Sequence, residues 1–111
     1  MVLSIEQIKN LIEPIAKKYR LRAVYFFGSY ARGEATPNSD IDLLIDRECS
    51  YINSLIDIGN LYNELCEKLK KEVDIVTTQT LNQQSTQERM SIFITNLNKE
   101  KIKIYEDVTS L

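Results

Sequence analysis

Two short segments carry the residue types best suited to phosphate chemistry: Gly28-Ser29-Tyr30-Ala31-Arg32-Gly33 and, with ten residues between Ser29 and its first acid, Asp40-Ile41-Asp42. The apolar run Ala23-Val24-Tyr25-Phe26-Phe27 leads straight into Gly28 and reads as a strand ending in a turn, while Ile41 to Ile45 reads as the next strand. Residues two apart on a strand share a face, so Asp40 and Asp42 are expected side by side with Ile41 turned into the core. Two carboxylates about 4 Å apart repel by roughly 1 kcal/mol in water and roughly 4 kcal/mol at an effective dielectric near 20, which asks for a cation. Hard oxygen ligands suit Mg2+, with Mn2+ as the alternative, and Mg2+ is commonly held by one or two carboxylates plus substrate phosphates. A nucleoside triphosphate is therefore the expected ligand beside Gly28 and Ser29. Gly28 lets the backbone approach closely, and the amides after it offer donors to anionic oxygen.

A third carboxylate completes such a site, and Asp74 in Glu72-Val73-Asp74-Ile75-Val76-Thr77 is the candidate. Its neighbours Val73 and Ile75 point away from it on a short β-type run, a setting that Asp57 and Asp107 lack. Arg32 is expected to face the phosphates or an acidic partner, the alternative being an exposed arginine without a task; Tyr30 is expected only to cover the turn. A lone Gly-Ser is usually just a turn and a lone Asp-x-Asp a solvated edge, so the weight falls on their conjunction.

That conjunction, Gly28-Ser29 and then Asp40-Ile41-Asp42 with Ser39 before the first acid and Leu43 after the second, resembles the signature of the DNA polymerase beta-type nucleotidyltransferase superfamily. The fuller stretch from Phe27 to Gly33 is similar to its minimal nucleotidyltransferase (MNT) branch, and the resemblance runs from about Leu11 to Val76. It implies a polymerase beta-like fold in which Gly28, Ser29 and Arg32 bind the nucleotide, Asp40, Asp42 and Asp74 form the catalytic and metal-binding set around two Mg2+ ions, and Asp74 activates the acceptor hydroxyl. It also implies an activity: transfer of a nucleoside monophosphate, AMP from ATP, to a hydroxyl of a partner, with pyrophosphate leaving. The MNT branch further implies an antitoxin that neutralises a HEPN-type ribonuclease toxin by adding AMP to a tyrosine.

The elements that must position these residues form an α/β (α+β) pattern, a small mixed sheet flanked by helices. Ser4-Ile5-Glu6-Gln7 is a capping-box start, and Ile5, Ile8, Ile12, Ile15 and Tyr19 mark one helical face, with Pro14 expected to bend it or to begin a second turn. A long helix after the second strand should present Ile52, Leu55, Ile56, Tyr62, Leu65, Cys66 and Leu69. Farther on, Leu81 to Ser85 reads as loop, Glu88 to Leu97 as helix, and Ile102 to Glu106 as a short edge strand.

With 111 residues, a single domain spanning 1–111 is expected, with little room for a second domain to hold the acceptor. The acceptor should thus come from a separate protein or a second copy of the chain. A formal net charge of -2 and the absence of a basic stripe argue against a general nucleic-acid binder. Lys68, Lys70 and Lys71 form the one tight basic cluster, read as favourable charge at a helix C-terminus. The chain has no histidine, which excludes Ser-His and Cys-His catalysis, and Cys49 and Cys66 lack zinc-type spacing and are expected as reduced thiols. No membrane span or secretory pattern is evident, so a cytoplasmic protein is expected. Two alternatives remain open: a non-catalytic module that binds nucleotide or partner by surface contact, and nucleotidylation of a small molecule such as an aminoglycoside.

Overall fold

The computed structural model describes residues 3–83 and 88–107. Helix α1 (Ile5–Tyr19) starts where expected: the Ser4 hydroxyl accepts from the Gln7 amide at 3.1 Å, and the Ser4 amide donates to Gln7 Oε1 at 2.8 Å. These reciprocal bonds satisfy donors that a helix start otherwise leaves unpaired. At the other end Arg20 takes the left-handed conformation, φ 55°, and its N–H closes the last turn. The buried stripe is Ile8, Ile12 and Ala16; Ile5 is 39% exposed and Ile15 and Tyr19 are half-buried, so the apolar face is narrower than predicted. Pro14 does not divide the helix, which runs unbroken through it at the loss of one backbone donor.

Strands β1 (Ala23–Phe27), β2 (Ile41–Asp46), β3 (Val73–Thr77) and β4 (Ile102–Glu106) form one sheet in the order β3-β2-β1-β4. β1 pairs antiparallel with both β2 and β4, whereas β2 and β3 are parallel, joined by helix α2 (Leu55–Leu69). A parallel pair needs such a crossover, and α2 provides it. The mixed sheet and the edge position of β4 are as expected from the sequence.

The sheet has two unlike faces. On one, Val24, Phe26, Ile41, Leu43, Ile45 and Val73 pack under α1 and α2 in a continuous core. On the other, Phe27 and Leu44 pack with Leu81 of the short helix α3 (Thr78–Leu81) and with Ile94 and Leu97 of helix α4 (Ser91–Glu100). This second cluster stops short of the β2 and β3 N-terminal ends, where Asp42 and Asp74 stand.

Three predictions need correction. α2 buries Leu61, Leu65 and Leu69, while Leu55 and Ile56 are 86% and 77% exposed. Ile52, already buried before the Ser54 cap, closes that end of the core, so the first turn of α2 lies outside it. Leu81 belongs to a helix and not a loop: the Thr77 hydroxyl caps α3 by accepting from the Thr80 amide, and Leu81 is buried against the second face. The predicted helix from Glu88 to Leu97 is interrupted: Glu88 and Arg89 are helical, Met90 holds a non-helical cap conformation, and the long helix runs from Ser91 to Glu100, past the predicted end; Gln84 and Ser85 lie outside the described residues. Cys49 is exposed, Cys66 is half-buried against the core, and both are free thiols. No described helix is long and apolar enough to cross a membrane.

Candidate active site

Phe27, Asp42 and Asp74 are neighbours in register across β1, β2 and β3. Partners in register project to the same face of a sheet, so the two carboxylates stand side by side on the half-covered face, with Phe27 beside them. Ile41, fully buried on the opposite face, fixes that phase: a one-residue slip would turn both acids into the core.

The turn after β1 is shaped around Asp42. Gly28 has φ +73°, and a Cβ built on it would lie 2.2 Å from Asp42 Oδ2. Glycine is thus required twice, for the backbone conformation and for the space. The turn is closed by Arg32 N donating to Gly28 O (3.1 Å) and Glu34 N to Ser29 O (2.9 Å), with Gly33 again left-handed at φ +72°. Tyr30 does more than cover the turn: it is 4% exposed and stacks on Phe26 with ring centroids 6.1 Å apart, anchoring the turn in the core of the opposite face.

Asp40 sits one residue before β2 and is exposed, so of the Asp40 and Asp42 pair only Asp42 is on the strand itself. The approach to Asp40 is nonetheless well ordered by hydrogen bonds. Ser39 Oγ accepts from the Thr36 amide at 2.8 Å, and Lys71 Nζ donates to the carbonyls of Pro37 (2.9 Å) and Ser39 (3.1 Å). Of the three clustered lysines, Lys68 occupies the last turn of α2 and Lys70 its left-handed cap, as a helix C-terminus favours, but Lys71 instead secures the loop that leads to Asp40.

Asp42 is the electrostatic centre of the site. Its pKa is pushed up to about 6, first by burial, then by the hydrogen bond and charge of the facing Asp74 and by the charge of Asp40, with Arg32 pulling the other way. Arg32 is neither idle nor free: its Nε lies 3.1 Å from Glu34 Oε1 and its Nη1 3.2 Å from Glu100 Oε2.

These groups line a cleft of about 650 Å³. Gly28, Arg32, Asp42 and Asp74 make its polar side, and Ser29 and Asp40 fall outside its lining. The sequence did not reveal the opposite wall, in which Phe93, Asn96, Leu97 and Glu100 of α4 face the acids. Their spacing of three, four and seven residues is that of one helical face, but no local signal says that this face lies across β1 and not elsewhere.

The donor set fits a hard divalent cation. The facing Asp74 raises the proton affinity of Asp42, and the space kept clear at Gly28 opens directly onto Asp42 Oδ2. Among the described residues no three Asp, Glu, Cys or His side chains are gathered into a metal cage. The match is to an ion held by one or two carboxylates and completed by substrate oxygen, as is usual for Mg2+.

Comparison with known proteins places this geometry in a class. Residues 9–107 match the polymerase beta nucleotidyltransferase family, and the chain belongs to it and is an enzyme of that kind. The chain is 41% identical over 80 residues to a protein of Methanocaldococcus jannaschii named "Putative protein adenylyltransferase MJ0435", covering 72% of this chain and 84% of that one. It is 33% identical over 84 residues to the protein adenylyltransferase MntA of Thermococcus cleftensis, covering 72% of this chain and 83% of the relative. The fold is shared with a solved complex of tri-AMPylated Shewanella oneidensis HEPN toxin and MNT antitoxin. The match has a TM-score of 0.63 at 16% identity and covers 96% of this chain and 76% of that one.

Proposed function

We propose that this chain is one nucleotidyltransferase domain that transfers AMP from ATP to a hydroxyl on a partner protein, and that the partner is a HEPN-type toxin which the modification neutralises. The observation that carries the proposal is the facing Asp42 and Asp74 pair beside a turn whose glycine keeps Asp42 Oδ2 open. The names of the sequence relatives support AMP transfer to protein, and the HEPN partner is supported by the complex whose fold the chain shares.

In this reading Asp40 and Asp42, with help from Asp74, would hold divalent cations, which would supply charge neutralisation for the transferring phosphoryl group. The backbone around Gly28 and the Ser29 hydroxyl receive the terminal phosphates, and Arg32 turns from Glu34 and Glu100 toward them. Asp74 takes the proton of the acceptor hydroxyl. The acceptor oxygen then bonds to the α-phosphorus, and the bond from that phosphorus to the α,β-bridging oxygen breaks, releasing pyrophosphate. ATP supply and the free thiols Cys49 and Cys66 suit a cytoplasmic setting.

Intact mass spectrometry of a HEPN partner incubated with the chain, Mg2+ and ATP tests this. An AMP increment on a tyrosine, lost with Asp42→Asn, is expected. Neutralisation of the toxin by Asp42→Asn with no increment from the wild type would instead establish a non-catalytic module.

A further inference from the structure

We propose that the α4 wall of the cleft is a nucleobase subsite selective for adenine, in which Phe93 stacks on the base and Asn96 reads its N6 and N7 edge; this rests on the nucleotidyl transfer proposed above. Phe93 is a large aromatic side chain left 39% exposed at the cleft. Its ring meets Phe27 edge to face, with centroids 6.1 Å apart at 86°. Such a contact occupies at most one of its two faces. Phe27 immediately precedes Gly28 and is in register with Asp42, so the stacking surface is tied to the phosphate turn and the acids through one residue.

Asn96 lies three positions beyond Phe93 on α4, and side chains so spaced are neighbours on a helix. It is exposed, lines the same cleft, and its side chain has no hydrogen-bond partner among the described residues. A carboxamide offers one acceptor and one donor group in a plane, the complement of the N6 amino group and N7 of adenine. Guanine presents acceptors at both O6 and N7, so the Asn96 carbonyl would face O6 with no proton between them. The apolar flank of Val76 and Leu97 gives the base a surface on which to shed water. An acceptor tyrosine is the rival occupant of this wall, but a phenol ring has no paired donor and acceptor edge to engage Asn96.

Calorimetric titration of the full chain in Mg2+ with ATP, GTP and tripolyphosphate separates the contributions of base and phosphate. The wild type should bind ATP about tenfold or more tighter than GTP. Asn96→Ala should bring the two affinities together. Phe93→Leu should weaken both nucleotides by about tenfold, with Phe93→Tyr restoring them. Tripolyphosphate should bind all variants alike, showing that their phosphate site is intact. An ATP preference that survives Asn96→Ala, or ATP affinity unmoved by Phe93→Leu, would overturn the proposal, including the case in which Phe93→Leu slows only transfer to the partner. If tripolyphosphate bound as tightly as ATP, the base subsite would be wrong and nucleotidyl transfer would stand. If the wild type bound neither, both would fall.

Discussion

The two faces of the sheet use the same strands to opposite ends. Under α1 and α2, Phe26, Ile41, Leu43 and Ile45 are closed off from water in a core of apolar side chains. On the other face the apolar cover ends at Phe27 and Leu97, and the next positions along β2 and β3 are Asp42 and Asp74. A fully covered face can hold register and phase, whereas a half-covered one can place charges where substrate reaches them. Alternation along β2 lets one strand do both, since Ile41 and Leu43 fix how Asp42 points.

The largest expected effects set the two faces against each other on a single strand. Leu43→Ala should destabilise the fold by about 2–5 kcal/mol, read as a drop in the urea midpoint, because it opens a cavity under α1 and α2. Asp42→Asn, one residue away, should reduce AMP transfer to background without lowering the midpoint, since it removes a repelling charge and keeps the shape. If both variants lost stability equally, the division of labour between the faces would be wrong.

Gly28→Ala should combine both kinds of loss. A left-handed non-glycine residue costs of order 1–3 kcal/mol. The Cβ placed 2.2 Å from Asp42 Oδ2 must also displace that carboxyl, so nucleotide binding should weaken beyond what the stability change explains.

A third prediction concerns pH. Asp42 has an ordinary pKa of 3.8 and a folded value of about 6, so the native state binds its proton more tightly than the unfolded chain does. The stabilisation from this group is complete below the ordinary value and is lost as pH rises through about 6. Thermal melts of the metal-free protein should therefore show stability falling over that window, a slope that Asp42→Asn flattens and Mg2+ diminishes. The smallest effect belongs to the exposed first turn of α2: Leu55→Ser or Ile56→Ser should shift stability by no more than about 0.5 kcal/mol.

Much of this was legible in the sequence where the information is local. Short apolar runs located β1, β2 and β3, the capping box located the start of α1, and the run from Gly28 to Asp42 pointed to phosphate and metal. Asp74 followed from strand alternation, although its pairing opposite Asp42 depends on the β2-β3 register. What stayed hidden depends on which surfaces meet. Phe93, Asn96 and Glu100 carry no mark that α4 crosses β1, and Leu55 and Ile56 match the helical period of α2 yet fall beyond the core that Ile52 closes. Pro14 signalled a bend or the start of a second turn, and α1 runs through it without a break. Tyr30 looked like a turn residue because its stacking on Phe26 is a tertiary contact.

The most direct test of the acid pair as the nucleotide site is calorimetry of ATP binding with and without Mg2+, in the wild type and in Asp42→Asn. ATP binding by the wild type should strengthen markedly with Mg2+, and Asp42→Asn should lose that gain while melting no lower. Equal Mg2+ dependence in the two proteins would contradict the account.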